Sequence, residues 1–124
     1  MTRMLDHLYI ATTILLTVYS QLIMRWQVLQ AGPLPGDLIG KFYFVGHLFL
    51  SPWVLSGVVA TLLAGIAWML AISRFEISYA YPWIGLNFVL TLVLGVLLFG
   101  ETLNTTKIVG TVLVVVGIAI VAKE

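Results

Sequence analysis

Long apolar runs alternate with short polar breaks along the whole chain. Four of these runs are long enough to cross the roughly 30 Å hydrocarbon core of a bilayer, which takes about 20 apolar residues in a helix. They cover residues 8–29, 52–73, 78–99 and 105–122. Because only short connections separate them, the pattern predicts an all-α membrane protein with a single four-helix domain over residues 1–124.

The breaks between the runs carry residues that typically begin or end helices. The turn-forming residues 31–37 end the first span, and Asn104 is the predicted N-cap of the fourth. Pro52 suits a first helical turn but not a helix interior, so the second span begins there. Residues 37–50 then form a short interfacial helix between spans 1 and 2, with their aromatic and basic side chains at headgroup depth.

Composition narrows the class of protein further. The 124 residues are 61% hydrophobic and only 9% charged, whereas soluble domains carry roughly 25% charged residues. The net charge of +1 provides no concentrated basic surface, so no nucleic-acid partner is expected. The first apolar run is too long for a cleaved signal peptide and is expected to stay as a helix.

Chemistry-bearing residues are sparse. The chain has no cysteine, which excludes disulfides, thiolate metal sites and cysteine nucleophiles. Its two histidines, His7 and His47, fall near separate membrane interfaces, and no metal-ligand spacing or acid–base–nucleophile set is present. We therefore expect no enzyme activity, no metal and no cofactor.

Charge does not orient the chain. Four spans place both termini on one side, and the lysines and arginines divide equally between the sides: Arg3, Arg74 and Lys123 against Arg25, Lys41 and Lys107. The positive-inside rule then gives no preferred orientation. Two interpretations stay open: a partner or another signal orients the chain, or the protein inserts both ways and pairs antiparallel.

The size of the bundle predicts a dimer, because four short spans cannot enclose a solute pathway alone. Gly110 and Gly117 lie two turns apart on one face of the fourth span, and small residues let helix backbones approach closely in lipid. These glycines are the predicted dimer contact. The alternative is that they pack within one bundle.

A polar strip runs along the first span at helical spacing, formed by Thr13, Thr17, Ser20, Gln21 and Arg25. The amide of Gln21 needs partners away from water, so we expect it to face the protein interior or a wet cavity. Arg25 lies within one turn of the span end, where it either anchors the helix at the interface or binds a phosphate through its planar guanidinium.

The carboxylates all fall in loops or at span ends: Asp6, Asp37, Glu76, Glu101 and Glu124. A proton-coupled exporter of cationic drugs needs a buried acid, and none is available. The sequence also predicts that the charge of Arg25 is neutralised by the substrate and not by the polypeptide. This pattern favours a substrate with an anionic group and a polar head whose tail stays in lipid.

The start of the third span is aromatic and is predicted to line or gate a substrate chamber with Tyr79, Tyr81 and Trp83. For Tyr79 and Trp83 the alternative is an ordinary interfacial belt. Pro82 and Gly85 weaken the helix and form a predicted hinge for alternating access. Asn87 lies deeper and, like Gln21, needs a polar partner.

Over its whole length the chain resembles the small multidrug resistance superfamily and the half-repeats of the drug/metabolite (EamA-like) transporters. The resemblance is carried by SYAYP at 78–82, the pair Gly100 and Glu101, and the seven-spaced glycines within 99–121. It implies the four-span fold, dimers that are often antiparallel, and transport by alternating access.

The chain departs from the drug-exporting branch of that superfamily. Aligning IMRW at 23–26 with the first-span basic residue places Thr17 where those exporters hold an essential glutamate. Subunits of the 4-amino-4-deoxy-L-arabinose-phosphoundecaprenol flippase, which also lack that acid, are more similar, although the segment 37–50 is longer than expected for them. This resemblance implies a lipid-headgroup pathway at Gln21, Arg25, Tyr81, Pro82 and Asn87.

The leading hypothesis is a flippase of the bacterial inner membrane that moves a polyprenyl-phosphate-linked sugar. Arg25 would hold the phosphate, while Thr17, Gln21 and Asn87 would hold the head. The expected assembly, surrounded by membrane lipids, is a homodimer, parallel or antiparallel, or a heterodimer with a related chain. Two alternatives are an exporter of small polar or cationic metabolites and a non-transporting scaffold subunit.

Overall fold

The computed structural model describes residues 2–123, with side chains from residue 4 onward, and these residues form helices joined by short loops. The helices are α1 (Thr2–Ala31), α2 (Leu38–Phe49), α3 (Pro52–Arg74), α4 (Ile77–Ile84), α5 (Leu86–Phe99) and α6 (Thr105–Ala122). The stretches long and apolar enough to span a membrane are Met4–Ala31, Pro52–Arg74, Ile77–Phe99 and Thr105–Ala122. The predicted fold class, four spans with a short helix between the first two, is confirmed.

Helix starts follow local side-chain chemistry. The Asp37 carboxylate accepts a hydrogen bond from the Gly40 N–H at 3.0 Å and caps α2. Pro52 opens α3, where its missing N–H leaves no backbone donor unsatisfied. The side-chain oxygen of Asn104 accepts from the Lys107 N–H at 2.9 Å, so the predicted N-cap is confirmed.

The third span is interrupted at Gly85, where α4 ends and α5 begins. Pro82 lies inside α4, and the Gly85 N–H bonds to the Pro82 carbonyl at 2.9 Å. A Cβ on Gly85 would lie 2.9 Å from that carbonyl oxygen and 3.2 Å from Val114 of α6, so glycine permits this close approach. The interruption coincides with the predicted weak point, while a hinge motion about it stays a prediction.

The most extensive helix packing among the described residues joins α1 to α3. A row of small residues on α3, three and four positions apart, is buried: Gly57, Ala60, Ala64, Ala67 and Ala71. Apolar side chains of α1 fill the opposite face: Ile10, Ile14 and Val18. Because lipid provides no hydrophobic drive between helices, such close backbone approach supplies the dispersion contacts that hold them together.

Helix α6 contacts α4 and α5 but no other helix of the described chain. Apart from the adjacent residues and the backbone of α6 itself, no heavy atom of the described chain lies within 4 Å of a Cβ built on Gly110 or Gly117. The alternative that these two glycines pack closely within one bundle is therefore wrong. A dimer contact through them stays a prediction.

Ala71→Leu is expected to lower the free energy of unfolding by about 1–3 kcal/mol, because the extra methylene groups have no room between α1 and α3. Ala71 is 0% exposed. Unfolding of the purified protein in detergent measures the loss. Ala119→Leu, at an exposed position of α6, is the control and should change stability little; equal effects of both substitutions would contradict the close α1–α3 contact.

Candidate functional site

A polar pocket of about 270 Å³ opens among α1, α3, α4 and α5 within the span region. Its lining consists of Thr13, Thr17, Thr61, Ala64, Gly65, Trp68, Tyr81, Ile84 and Asn87. Four predicted binding residues therefore come together here from two separate spans. None of the lining residues is charged at neutral pH, so the pocket is uncharged. We call it the polar pocket after its threonine and asparagine side chains, although most of its wall is apolar.

The α1 wall of the polar pocket offers one available hydroxyl. Thr13 donates to the Tyr9 carbonyl at 2.8 Å, so its hydrogen is used within the helix. The hydroxyl of Thr17 makes no hydrogen bond within the described part of the chain, while its residue lines the pocket. Thr17 is therefore free to donate to, or accept from, a ligand.

Across the pocket, α3 supplies Thr61 and Trp68. The Thr61 hydroxyl donates to the Gly57 carbonyl at 2.9 Å and lies 2.6 Å from the Ser20 hydroxyl. Ser20 is buried at 3% exposure and is absent from the lining. Its role here is to join α1 to α3, which differs from the predicted contact with substrate.

The α5 wall of the pocket carries an unsatisfied acceptor. The side-chain oxygen of Asn87 is buried and has no hydrogen-bond partner among the described residues. Buried polar oxygens are almost always paired, because leaving one unpaired costs about 1–3 kcal/mol. Tyr81, 64% exposed, packs edge-on against Trp68 with ring centroids 5.8 Å apart. The pocket thus has aromatic faces, and the unpaired acceptor of Asn87 lies buried behind its lining.

Arg25 has a counter-charge within the protein, which corrects the expectation that only a substrate supplies one. Its Nε and Nη2 both lie 3.1 Å from Oε2 of Glu101. The side chains are 50% and 36% exposed, so the pair lies at the surface. Sequence reasoning placed Glu101 at a span end but did not pair it with Arg25, although both fall on the membrane side opposite the termini.

Two glycines shape this pairing. Gly100 has φ of 64°, a left-handed conformation that ends α5 and reverses the chain. The Glu101 N–H then bonds to the Gly95 carbonyl at 3.3 Å. A Cβ on Gly95 would lie 2.6 Å from Oε1 of Glu101, so the bare glycine leaves room for the carboxylate to reach Arg25.

Gln21 is exposed on the surface of the single chain, so it does not face the interior of one copy, and a wet cavity beside it stays a prediction. Neither Gln21 nor Arg25 lines the polar pocket. Arg25 lies eight residues beyond Thr17, about 12 Å along the helix axis at 1.5 Å per residue. The predicted strip is therefore divided: Thr13 and Thr17 line the pocket, whereas Arg25 lies at the membrane boundary.

The predicted aromatic set is divided as well. Tyr79 and Trp83 pack around His7 near the chain termini, away from the pocket: the His7 Nε2 lies 2.9 Å from the Tyr79 hydroxyl, and the His7 and Trp83 rings are 5.9 Å apart. Positions 79 and 83 share a helix face whereas 81 points elsewhere. Of the three, only Tyr81 lines the pocket.

Sequence reasoning missed Thr61 and Trp68 as pocket residues. A signal was present, because Thr61 is the single hydroxyl residue between Ser56 and Ser73 in an otherwise apolar span. His7 was also missed as the partner of Tyr79. The position of His7 near a membrane interface did not indicate a partner within the protein.

The sequence model of the EamA-like transporter family matches residues 7–123 of the chain. Two relatives are named as probable subunits of a 4-amino-4-deoxy-L-arabinose-phosphoundecaprenol flippase. ArnE of Pseudomonas paraeruginosa is 32% identical over 60% of this chain and 64% of its own length. ArnF of Photorhabdus laumondii is 25% identical over 90% of this chain and 91% of its own length.

A third relative, the multidrug resistance protein EbrB of Bacillus atrophaeus, is 32% identical over 61% of this chain and 67% of its own length. The match to ArnE spans less than two thirds of that protein. No solved structure matches the chain. The four membrane spans and these relatives identify a multi-pass protein of the bacterial inner membrane. The chain belongs to the EamA-like transporter family.

Proposed function

We propose that this transporter moves a polyprenyl-phosphate-linked sugar across the membrane, as a dimer, by alternating access. The observation that carries the proposal is the uncharged polar pocket with its unpartnered Asn87 oxygen. The Asn87 oxygen is buried behind the lining, so a sugar hydroxyl supplies the donor that it lacks once the amide turns toward the pocket. The aromatic faces of Trp68 and Tyr81 suit a sugar ring. The names of the ArnE and ArnF relatives support a lipid-linked sugar as the substrate class.

Two binding sites along α1 suit the two parts of such a substrate: a phosphate site at Arg25, called the Arg25 station or phosphate station, and the polar pocket. Arg25, at the membrane boundary, presents planar donors that match phosphate geometry. The polar pocket, about 12 Å deeper along the helix, presents the neutral groups that match the sugar. The phosphate docks first, and the head enters the pocket in a second step, while the polyprenyl tail stays in lipid.

A second chain would complete the pocket. Gln21 and Tyr81 are exposed in the single chain. Gln21 lies one helical turn after Thr17, on the exposed side of the polar strip. An amide without a partner is costly in hydrocarbon, so a covering chain stabilises the assembly. The open faces at Gly110 and Gly117 give that chain a close contact on α6. The partner is a second copy or a related subunit.

Export of a lipophilic cation is a second candidate, favoured by the similarity to EbrB, which is named as a multidrug resistance protein. The pocket opposes it, because its lining holds no carboxylate to pair with a cation. The two candidates differ in which substrate moves through purified protein.

Liposomes containing the purified protein and a trace of polyprenyl-phosphate-linked hexose test the proposal. Impermeant periodate reports the sugar that reaches the outer surface. Arg25→Gln is expected to slow this translocation about tenfold, because a charged hydrogen bond to phosphate is worth about 1.5–3 kcal/mol. Arg74→Gln is the matched control, since Arg74 is also half exposed and paired with a carboxylate, that of Asp6, at 3.1 Å.

The control is expected to translocate within about twofold of the wild-type rate, since its ion pair lies at the surface. Folded protein that moves tetraphenylphosphonium but no lipid-linked hexose, alone or with a related subunit, would contradict the proposal. Equal rates for Arg25→Gln and Arg74→Gln would remove Arg25 from it.

A further inference from the structure

The cation assigned to the phosphate is already occupied by an anion of the same chain. Glu101 contributes a single oxygen, Oε2, to both Nε and Nη2 of Arg25. A fork of two parallel bonds to two oxygens is the stronger arrangement for a guanidinium. The second carboxylate oxygen instead lies over Gly95. Arg25 therefore makes less than the full set of bonds that its geometry allows.

We propose that Glu101 is an internal competitor for Arg25, and that a phosphate oxyanion displaces it when the substrate docks. This inference rests on the proposed function, because the phosphate is that of the transported lipid. Glu101 would then set the affinity of the Arg25 station. It would keep the guanidinium paired at the membrane boundary between transport cycles.

The pair is suited to exchange because it is weak. Ion pairs this exposed are worth little, typically 0–1 kcal/mol. A phosphate group offers several oxygens in bidentate geometry. A second cation reaches the same connection from the first turn of α6, since Lys107 Nζ donates to the Thr102 carbonyl at 2.6 Å. Its positive charge also attracts an incoming phosphate.

Displacement of Glu101 from Arg25 would also release a tether between α1 and the α5–α6 connection. Glu101 lies in the connection from α5 to α6, so its bond to Arg25 ties that connection to α1. Helix α6 has no contact of its own with α1 or α3 in the described chain. Docking of phosphate would thus free the α5–α6 connection from Arg25, while α5 itself stays packed against α1. Substrate binding would in this way be linked to movement of the connection and of α6.

The test measures binding of polyprenyl phosphate to purified protein in nanodiscs, with neutral polyprenol and inorganic phosphate as separate probes. Glu101→Gln is expected to bind polyprenyl phosphate about two- to fivefold more tightly, the range that loss of a surface ion pair allows. Gly95→Ala keeps the charge but displaces the carboxylate, and it should tighten binding likewise. Asp6→Asn breaks the ion pair with Arg74, which has the same 3.1 Å distance but lies away from Arg25, and it should bind as wild type does.

A second measurement follows the mobility of the α5–α6 connection. The chain has no cysteine, so Leu103→Cys, at an exposed position of the connection, carries a single spin label. Its mobility should rise when polyprenyl phosphate is added, and should already be high in Glu101→Gln without it. Inorganic phosphate producing the same rise would assign the station to free phosphate; polyprenol should produce none.

The outcomes separate the two proposals. Wild-type affinity and unchanged label mobility in Glu101→Gln and Gly95→Ala, with binding lost in Arg25→Gln, would overturn the competitor role and leave the proposed function standing. Wild-type binding by Arg25→Gln would instead overturn the phosphate station itself. Tightening in both Glu101→Gln and Gly95→Ala, with none in Asp6→Asn, would establish the exchange.

Discussion

Asn87→Leu is expected to slow translocation of the lipid-linked hexose by about a hundredfold while leaving the stability of the protein unchanged or higher. The side-chain oxygen of Asn87 is buried without a partner, so leucine removes an unsatisfied group and breaks no side-chain bond to the rest of the chain in the described residues. A buried acceptor that pairs only with substrate is worth up to about 3 kcal/mol in the bound state. Function and stability should therefore change in opposite directions.

The liposome assay and unfolding in detergent measure these two quantities on the same preparation. Phe88→Leu, next to Asn87 on α5 but 49% exposed, is the control and should translocate normally. An Asn87→Leu protein that is less stable and translocates at the wild-type rate would show that Asn87 serves the fold and not the substrate.

Thr17→Glu is expected to weaken binding of polyprenyl phosphate about tenfold, the effect of a like charge about 12 Å from the phosphate, and to create binding of a lipophilic cation. Thr17 lines the uncharged pocket, and its hydroxyl has no partner within the described part of the chain. A carboxylate there adds a negative charge at low dielectric, where it repels a phosphate-bearing lipid and attracts a cation far more strongly than in water. We expect the preference between the two ligands to reverse.

Binding of polyprenyl phosphate and of tetraphenylphosphonium to the same nanodisc samples checks the reversal. Thr17→Gln has nearly the same size as Thr17→Glu without its charge, so it should bind no cation. Because a charge in a span is costly, size-exclusion chromatography should first establish that Thr17→Glu remains folded. Equal ligand preference in the glutamate and glutamine variants would mean that charge at this pocket does not decide specificity.

Apolar run length predicted the spans well, because a bilayer accepts only segments that satisfy their own backbone hydrogen bonds over its full thickness. Local rules were equally effective at the ends of helices. Asn104 caps α6 through a hydrogen bond within one turn of the chain, and Pro52 opens α3 because the first turn needs no N–H from it. Such features depend on neighbours in sequence, so the sequence is sufficient to find them.

The candidate site was only partly predictable. Thr13 and Thr17 share a helix face, which spacing shows, and both line the pocket. Spacing does not show which way that face points, and Gln21, one turn further, is exposed. The rotation of α1 about its axis is set by the small residues of α3 that it packs against, and those contacts join positions far apart in the chain.

The pairing of Arg25 with Glu101 shows the same limit most clearly. The two residues are 76 positions apart, and each alone fits an ordinary span end. A left-handed Gly100 and a bare Gly95 must combine to bring the carboxylate back to the guanidinium.

By itself, the sequence determined that this protein crosses the membrane four times, carries a short helix between the first two spans, and keeps its carboxylates at or beyond the ends of the spans. These follow from apolar length and local helix chemistry, which act along the chain. The tertiary structure decided which polar groups meet in the pocket, which stay exposed, and which anion holds Arg25. Those outcomes depend on helix rotation and on chain reversal at glycine, which only packing between distant segments can set.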